Sequence, residues 1–141
     1  MKIGHVNNWR PEVGSLLCSL KKACFTITGA NNGEDEYTGA DYRKLVDCLT
    51  ACDEGYIYAT APDGKKVWLN LVLGNSPGEL VSDYSCHDGL DAVTDAHGEK
   101  WEGRAQPTKP CKFALERHEF NLAARKAQLV NIAAAVATLG L

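Results

Sequence analysis

Cys86 and His87 stand side by side in the run Asp83-Tyr84-Ser85-Cys86-His87-Asp88, and thiol beside imidazole is where nucleophilic or metal chemistry would be sought. A cysteine nucleophile needs an imidazole close enough to take its proton, and such partners normally meet through the fold. Neighbours in an extended chain point to opposite sides, so His87 is badly placed to serve Cys86. His5, His97 or His118 could take that role, and nothing in the spacing selects one of them. The weighted expectation is a buried Cys86 next to a surface histidine.

Zinc is the other reading of the same residue types, since thiolates and imidazoles suit a tetrahedral site. Cys86 and His87 with distant Cys111 or His97 are its candidate ligands, and Cys48 and Cys52 lie at i and i+4 on one helix face. There is no C-x-x-C pair, and Cys52 belongs to an apolar stripe. No metal and no other cofactor is therefore expected. The six cysteines read for the most part as small buried hydrophobes.

Other constellations point away from catalysis. The stretch Gly29 to Glu36 (GANNGEDE) has glycines but neither a phosphate-loop pattern nor a base, and its acids would repel an anion. Glu79 and Asp83 are expected on one strand face, where solvated carboxylates are the common finding. Arg104, Lys109, Lys112, Arg117, Arg125 and Lys126, near Trp101 and Phe113, form a modest basic set with no recognised nucleic-acid module, so direct nucleic-acid binding is not expected.

Charge is unevenly spread along the 141 residues. Residues 31–95 hold thirteen acids and four bases, while both ends are basic, and the whole chain carries −3. An acidic middle between basic ends suggests a polar field that would repel nucleic acid at one face, but acids that simply solvate loops and one helix face are the favoured reading. The N-terminus lacks an apolar h-region and no apolar run approaches a membrane span, so the expected location is the cytosol.

The elements that would position these residues start with the stretch Tyr56 to Tyr84. Three β-branched and aliphatic runs, separated by PDG and GNSPG turns, read as an antiparallel meander. In its central run Val67, Leu69, Leu71 and Leu73 alternate with Trp68, Asn70 and Val72, giving one aliphatic face for helices to cover. Residues 11–23 read as a helix, Cys24 to Thr28 as a strand and Gly29 to Glu36 as an exposed loop. A second helix is expected from Thr38, as cap, to Cys52, burying Tyr42, Leu45, Val46, Leu49 and Cys52.

Asp88 to Ala96 reads as a short helix, and His97 to Pro110 as an irregular excursion. Phe113 to Leu139 reads as one long alanine-rich helix, apolar nearly all round. It would cover the sheet of its own chain or form a homodimer seam through residues 113–139. The expected fold is one α+β domain: an antiparallel sheet of about four strands against two or three helices, with the long C-terminal helix among them.

The segment GKKVWLNLVLGNSPGELVSDYS, with Leu73-Gly74-Asn75 and Val81-Ser82-Asp83-Tyr84 as its marks, resembles a pattern in small phage and prophage accessory proteins. The resemblance covers about residues 64–85 and carries no catalytic residue. It implies a cytoplasmic, non-catalytic protein that binds and blocks a host defence protein or ribonucleoprotein, such as a CRISPR effector complex. Glu34, Asp35 and Glu36, with Glu79, Asp83 and Asp88, are then the expected partner-binding surface. The alternatives are a small metal- or cysteine-dependent enzyme centred on Cys86 and His87, and a nucleic-acid binder using the basic C-terminal region.

Overall fold

The computed structural model describes residues 8–105 together with 123 and 125–127. In chain order these form α1 (Arg10–Lys22), β1 (Thr26–Asn31), β2 (Glu36–Thr38), α2 (Tyr42–Thr50), β3 (Glu54–Thr60), β4 (Lys66–Val72), β5 (Val81–Tyr84) and α3 (Asp88–Trp101). The strands make one antiparallel sheet in the order β2-β1-β3-β4-β5. The fold is α+β, with α1, α2 and α3 on one face of the sheet. The sheet has five strands where about four were expected.

The core follows from the alternation in the two central strands. Ile57 and Ala59 of β3 and Val67, Leu69 and Leu71 of β4 are buried, while Tyr56 and Tyr58 between them are exposed. Against this aliphatic face pack Val13, Leu16, Leu17 and Leu20 of α1, Leu45, Val46 and Leu49 of α2, and Leu90 and Val93 of α3. A buried leucine contributes roughly 2 kcal/mol by leaving water, so these three helices hold the sheet by side-chain burial. Helix α1 touches β1 and both other helices. The cover had been expected from α2 and residues 113–139; α1 and α3 share it with α2, and the stretch Phe113–Leu139 lies outside the described residues apart from four positions. Of these, Ala123, Arg125, Lys126 and Ala127 are helical and exposed.

Three boundaries differ from expectation for physical reasons. The acidic loop is shorter: Gly29, Ala30 and Asn31 continue β1 and pair with Thr38, Tyr37 and Glu36 in a hairpin. Asn32 closes its tip, its side-chain Oδ1 accepting from the amides of Glu34 and Asp35 and its Nδ2 donating to the Cys48 carbonyl at 3.0 Å. Helix α2 starts later, because Asp41 rather than Thr38 caps it, accepting from the Lys44 amide at 3.0 Å. Tyr42 is then the first residue of the helix; it keeps the phase of Leu45, Val46 and Leu49 but sits at the end of their stripe, its hydroxyl over Gly14 of α1, and is 52% exposed. Helix α3 runs on to Trp101, taking in His97, which had been assigned to the irregular stretch.

Helix α1 ends in a Schellman arrangement, with the Phe25 amide bonding the Leu20 carbonyl and the Cys24 amide the Lys21 carbonyl, both at 3.0 Å. Cys24 adopts a left-handed φ of 66° to allow it, a position that glycine normally fills.

Candidate functional site

His87 is built into the start of α3 as its N-cap. Its Nδ1 accepts from the Gly89 amide at 3.1 Å, so that nitrogen holds a lone pair and the neutral ring carries its proton on Nε2. Nε2 lies 3.1 Å from Asp63 Oδ2 in the turn between β3 and β4. Both ring nitrogens are thus engaged, and neither offers a base to Cys86. Cys86 itself is exposed and His87 largely covered, the reverse of the expected arrangement. The Asp63 carboxyl is held below its ordinary range, first by the Lys65 amide that it accepts and then by His87.

The other sulfur candidates are also dispersed. Among the five described cysteines only Cys52 is buried; Cys18, Cys24 and Cys86 are exposed and Cys48 half-buried. The reading of most cysteines as core hydrophobes is therefore corrected: they occupy helix surfaces and turns. Burial pushes the Cys48 thiol up, with further contributions from Asp35 and Cys52, which disfavours the thiolate that a metal would need. No group of three or more His, Cys, Asp or Glu residues among the described residues is arranged to hold a metal ion. Cys111, His5 and His118 lie outside the described residues, as do Lys109, Lys112 and Arg117 of the basic set. Arg104, the first member of that set, lies over the Trp101 ring at 5.1 Å.

His97 serves structure. Its Nε2 meets Glu12 Oε2 at 2.8 Å with both side chains buried, and Glu12 also accepts from the Gly78 amide at 3.2 Å. The pair ties α1, α3 and the β4–β5 loop at one point. Gly78 has a φ of +89°, and a Cβ there would press on the Glu102 backbone at 2.8 Å, so the loop reaches the carboxylate only as glycine.

The six expected partner-binding acids fall into separate places. Glu34 and Asp35 sit at the β1–β2 tip and Glu36 on β2, the sheet edge opposite β5, which carries Asp83. Four strand spacings, about 19 Å, separate those edges. Glu79 lies in the β4–β5 loop rather than on a strand, and Asp88 is the first residue of α3. Glu79 thus sits near the end of α3, where Gly78 meets Gly98 and Glu102, while Asp88 stands at the start of that helix about 21 Å away. Asp83 lies on the face of the sheet turned away from the helices, so the six acids do not form one site.

What does run together is a row of carboxylates along α3, of which only Asp88 was singled out in the sequence. Asp88, Asp91, Asp95, Glu99 and Glu102 follow one another at intervals of three or four residues, all exposed. At 100° per residue they occupy one side of α3, away from buried Leu90, Val93 and His97. Residues 79–102 hold seven acids against the single base Lys100. The Tyr84 hydroxyl of β5 donates to Asp91 at 2.6 Å, a bond that raises the phenol above its ordinary range and ties the acidic helix to the sheet edge. The signal was present in the spacing, but ending the helix at Ala96 hid its last two members.

The opposite face of the sheet carries a different surface. Tyr56 and Tyr58 stack with ring centres 6.4 Å apart, and Trp68 meets Tyr56 edge-on at 6.1 Å. The two tyrosines are 38% and 36% exposed.

Comparison with protein-family models, with curated proteins and with solved structures gives no match. Among the described residues no helix is long and apolar enough to cross a membrane.

Proposed function

We propose that this protein acts by binding a positively charged surface of a protein or ribonucleoprotein partner, without catalysis, through the acidic side of α3. The observation that supports this reading is the row of five exposed carboxylates from Asp88 to Glu102. Fourteen residues of helix span about 21 Å, so the row presents about one negative charge per 5 Å. A nucleic-acid strand presents about one per 3.4 Å, which is the same order of charge density. A partner surface built for phosphates would meet a comparable field, and burying it would block that surface.

The narrower form of the proposal takes its partner from the resemblance to phage accessory proteins: a host defence protein or ribonucleoprotein, met in the host cytoplasm and inhibited by occupation. Of the acids singled out in the sequence, Asp88 belongs to this row, Glu79 flanks its far end, and Asp83 faces the other side of the sheet. Glu34, Asp35 and Glu36 form a second acidic patch that would engage only a partner extending round the sheet.

Purification of partners from host lysate on the immobilised protein tests the reading. The expected result is a partner retained at low salt, released as salt rises, and lost on changing Asp88, Asp95 and Glu99 to lysine together. The corresponding reversal of Glu34, Asp35 and Glu36 is expected to weaken retention less. The same partner held equally by wild type and by the α3 variant would overturn the proposal.

A further inference from the structure

The face of the sheet turned away from α1, α2 and α3 has a composition that the α3 row does not explain, and among the described residues it is the open side. Strand register places Glu36, Asn31, Tyr56, Asn70 and Asp83 in one row across all five strands, with every member on the open side. Tyr58 and Trp68 form the adjacent row. Glu54 shares the face and is fixed by the Asn70 side chain, whose Nδ2 donates to Glu54 Oε1 at 3.0 Å and to the Gly55 carbonyl at 3.2 Å. The five strands contain three acids (Glu36, Glu54, Asp83) and one base (Lys66), and all four face this side.

We infer that this face is a second contact surface, and that it takes arginine side chains of a protein partner. The aromatic faces of Tyr56, Tyr58 and Trp68 attract a guanidinium group through their ring quadrupoles and stack flat against it. The carboxylates of Glu36 and Asp83 close the Tyr56 row at both ends and Glu54 stands beside it, so a cation on that row finds an opposite charge on three sides, with Lys66 two residues beyond Trp68 on the fourth. Phosphate would find the reverse, since the face offers it only Lys66, at the end of β4 next to the turn. A shallow hollow of about 310 Å³ beside Tyr58 and Trp68, floored by Ala59 and Val67 and edged by Thr28 and Lys66, gives room for one side chain. This surface is distinct from the side of α3 and stands or falls separately from it.

The test uses the full chain labelled with 15N and a blocked tetra-arginine peptide as probe. The indole resonance of Trp68, assigned by its loss in Trp68→Phe, is expected to shift and saturate with the arginine peptide, and to do so at several-fold higher concentration with a blocked tetra-lysine peptide. Changing Tyr56 and Tyr58 together to leucine is expected to weaken the arginine interaction by about two- to fivefold per ring. The double change to phenylalanine, which keeps the rings, is expected to preserve it, and so is reversal of the α3 carboxylates. Equal response to lysine and arginine with Trp68 unmoved would reduce the effect to bulk charge and overturn the inference. A saturating Trp68 shift with oligothymidylate would overturn it in favour of single-stranded nucleic acid, and a shift on concentrating the protein alone would assign the face to a second copy of the chain.

Discussion

Two histidine–carboxylate pairs of the same chemistry sit at opposite ends of α3, and they do different work. His97 and Glu12 meet at 2.8 Å in the interior, joining elements 85 residues apart. His87 and Asp63 meet at 3.1 Å at the surface, with the carboxylate half in solvent. Burial separates them. An exposed pair exchanges its partner for water at little cost, whereas loss of one member of a buried pair strands a polar group in a low-dielectric interior. His87 matters because it caps a helix, and its contact with Asp63 is secondary. His97 matters because Glu12 is its hydrogen-bond partner, its Nδ1 having none.

The largest expected effect comes from breaking the buried pair. Glu12→Ala leaves the His97 ring without its acceptor and removes the acceptor of the Gly78 amide, and should cost about 3 kcal/mol or more in a denaturant titration. A loss no greater than that of a surface pair would show that the interior at this point is wet. Next in size is His87→Ala, which removes the N-cap of α3 and should cost about 1 kcal/mol. His87→Ser should recover most of it, since serine also caps; no recovery would mean that the imidazole matters through Asp63 after all.

Smaller again is Asp63→Asn, for which an unchanged denaturation midpoint is expected because the carboxylate is exposed. The last prediction concerns its titration. The folded value for Asp63 lies below the ordinary 3.8, so its contribution is present above the unfolded value and is lost as pH falls through the folded one. A carbon-detected titration should place the Asp63 midpoint below that of an unfolded-chain aspartate, and this group should give stability no pH dependence near neutrality. A midpoint at or above 3.8 would mean that neither the Lys65 amide nor His87 reaches it in solution.

The regular parts of the fold were legible because they repeat. Val67, Leu69, Leu71 and Leu73 alternate cleanly, and Leu45, Val46 and Leu49 keep helical spacing, so β3, β4, β5 and α2 could be read from periodicity. The β1–β2 hairpin was missed because its residues are also turn formers. Yet Asn32-Gly33 between inward-facing Ala30 and Tyr37 is a recognised hairpin signal. The end of α3 was missed because the glycines, prolines and alternating charges between His97 and Pro110 read as irregular, although Leu90, Val93, His97 and Trp101 continue one stripe. The row of acids along α3 went with it. The Glu12–His97 bond had no local trace at all, since nothing near either residue marks the other as its partner.

The clamp at the hairpin tip has a consequence for how the protein ages. Asn-Gly is the sequence most prone to deamidation, in which the glycine amide nitrogen attacks the asparagine side-chain carbonyl, ammonia leaves, and water opens the resulting cyclic imide to aspartate or isoaspartate. Asn32-Gly33 is held away from that reaction: its side chain is buried and triply bonded, and the Gly33 amide is occupied by Asn31 Oδ1 at 2.6 Å. Conversion of Asn32 to aspartate would remove the donor to the Cys48 carbonyl and add a fourth carboxylate beside Glu34, Asp35 and Glu36. The folded hairpin thus protects its own amide, and the slow appearance of aspartate at this position would record the time that the tip has spent open.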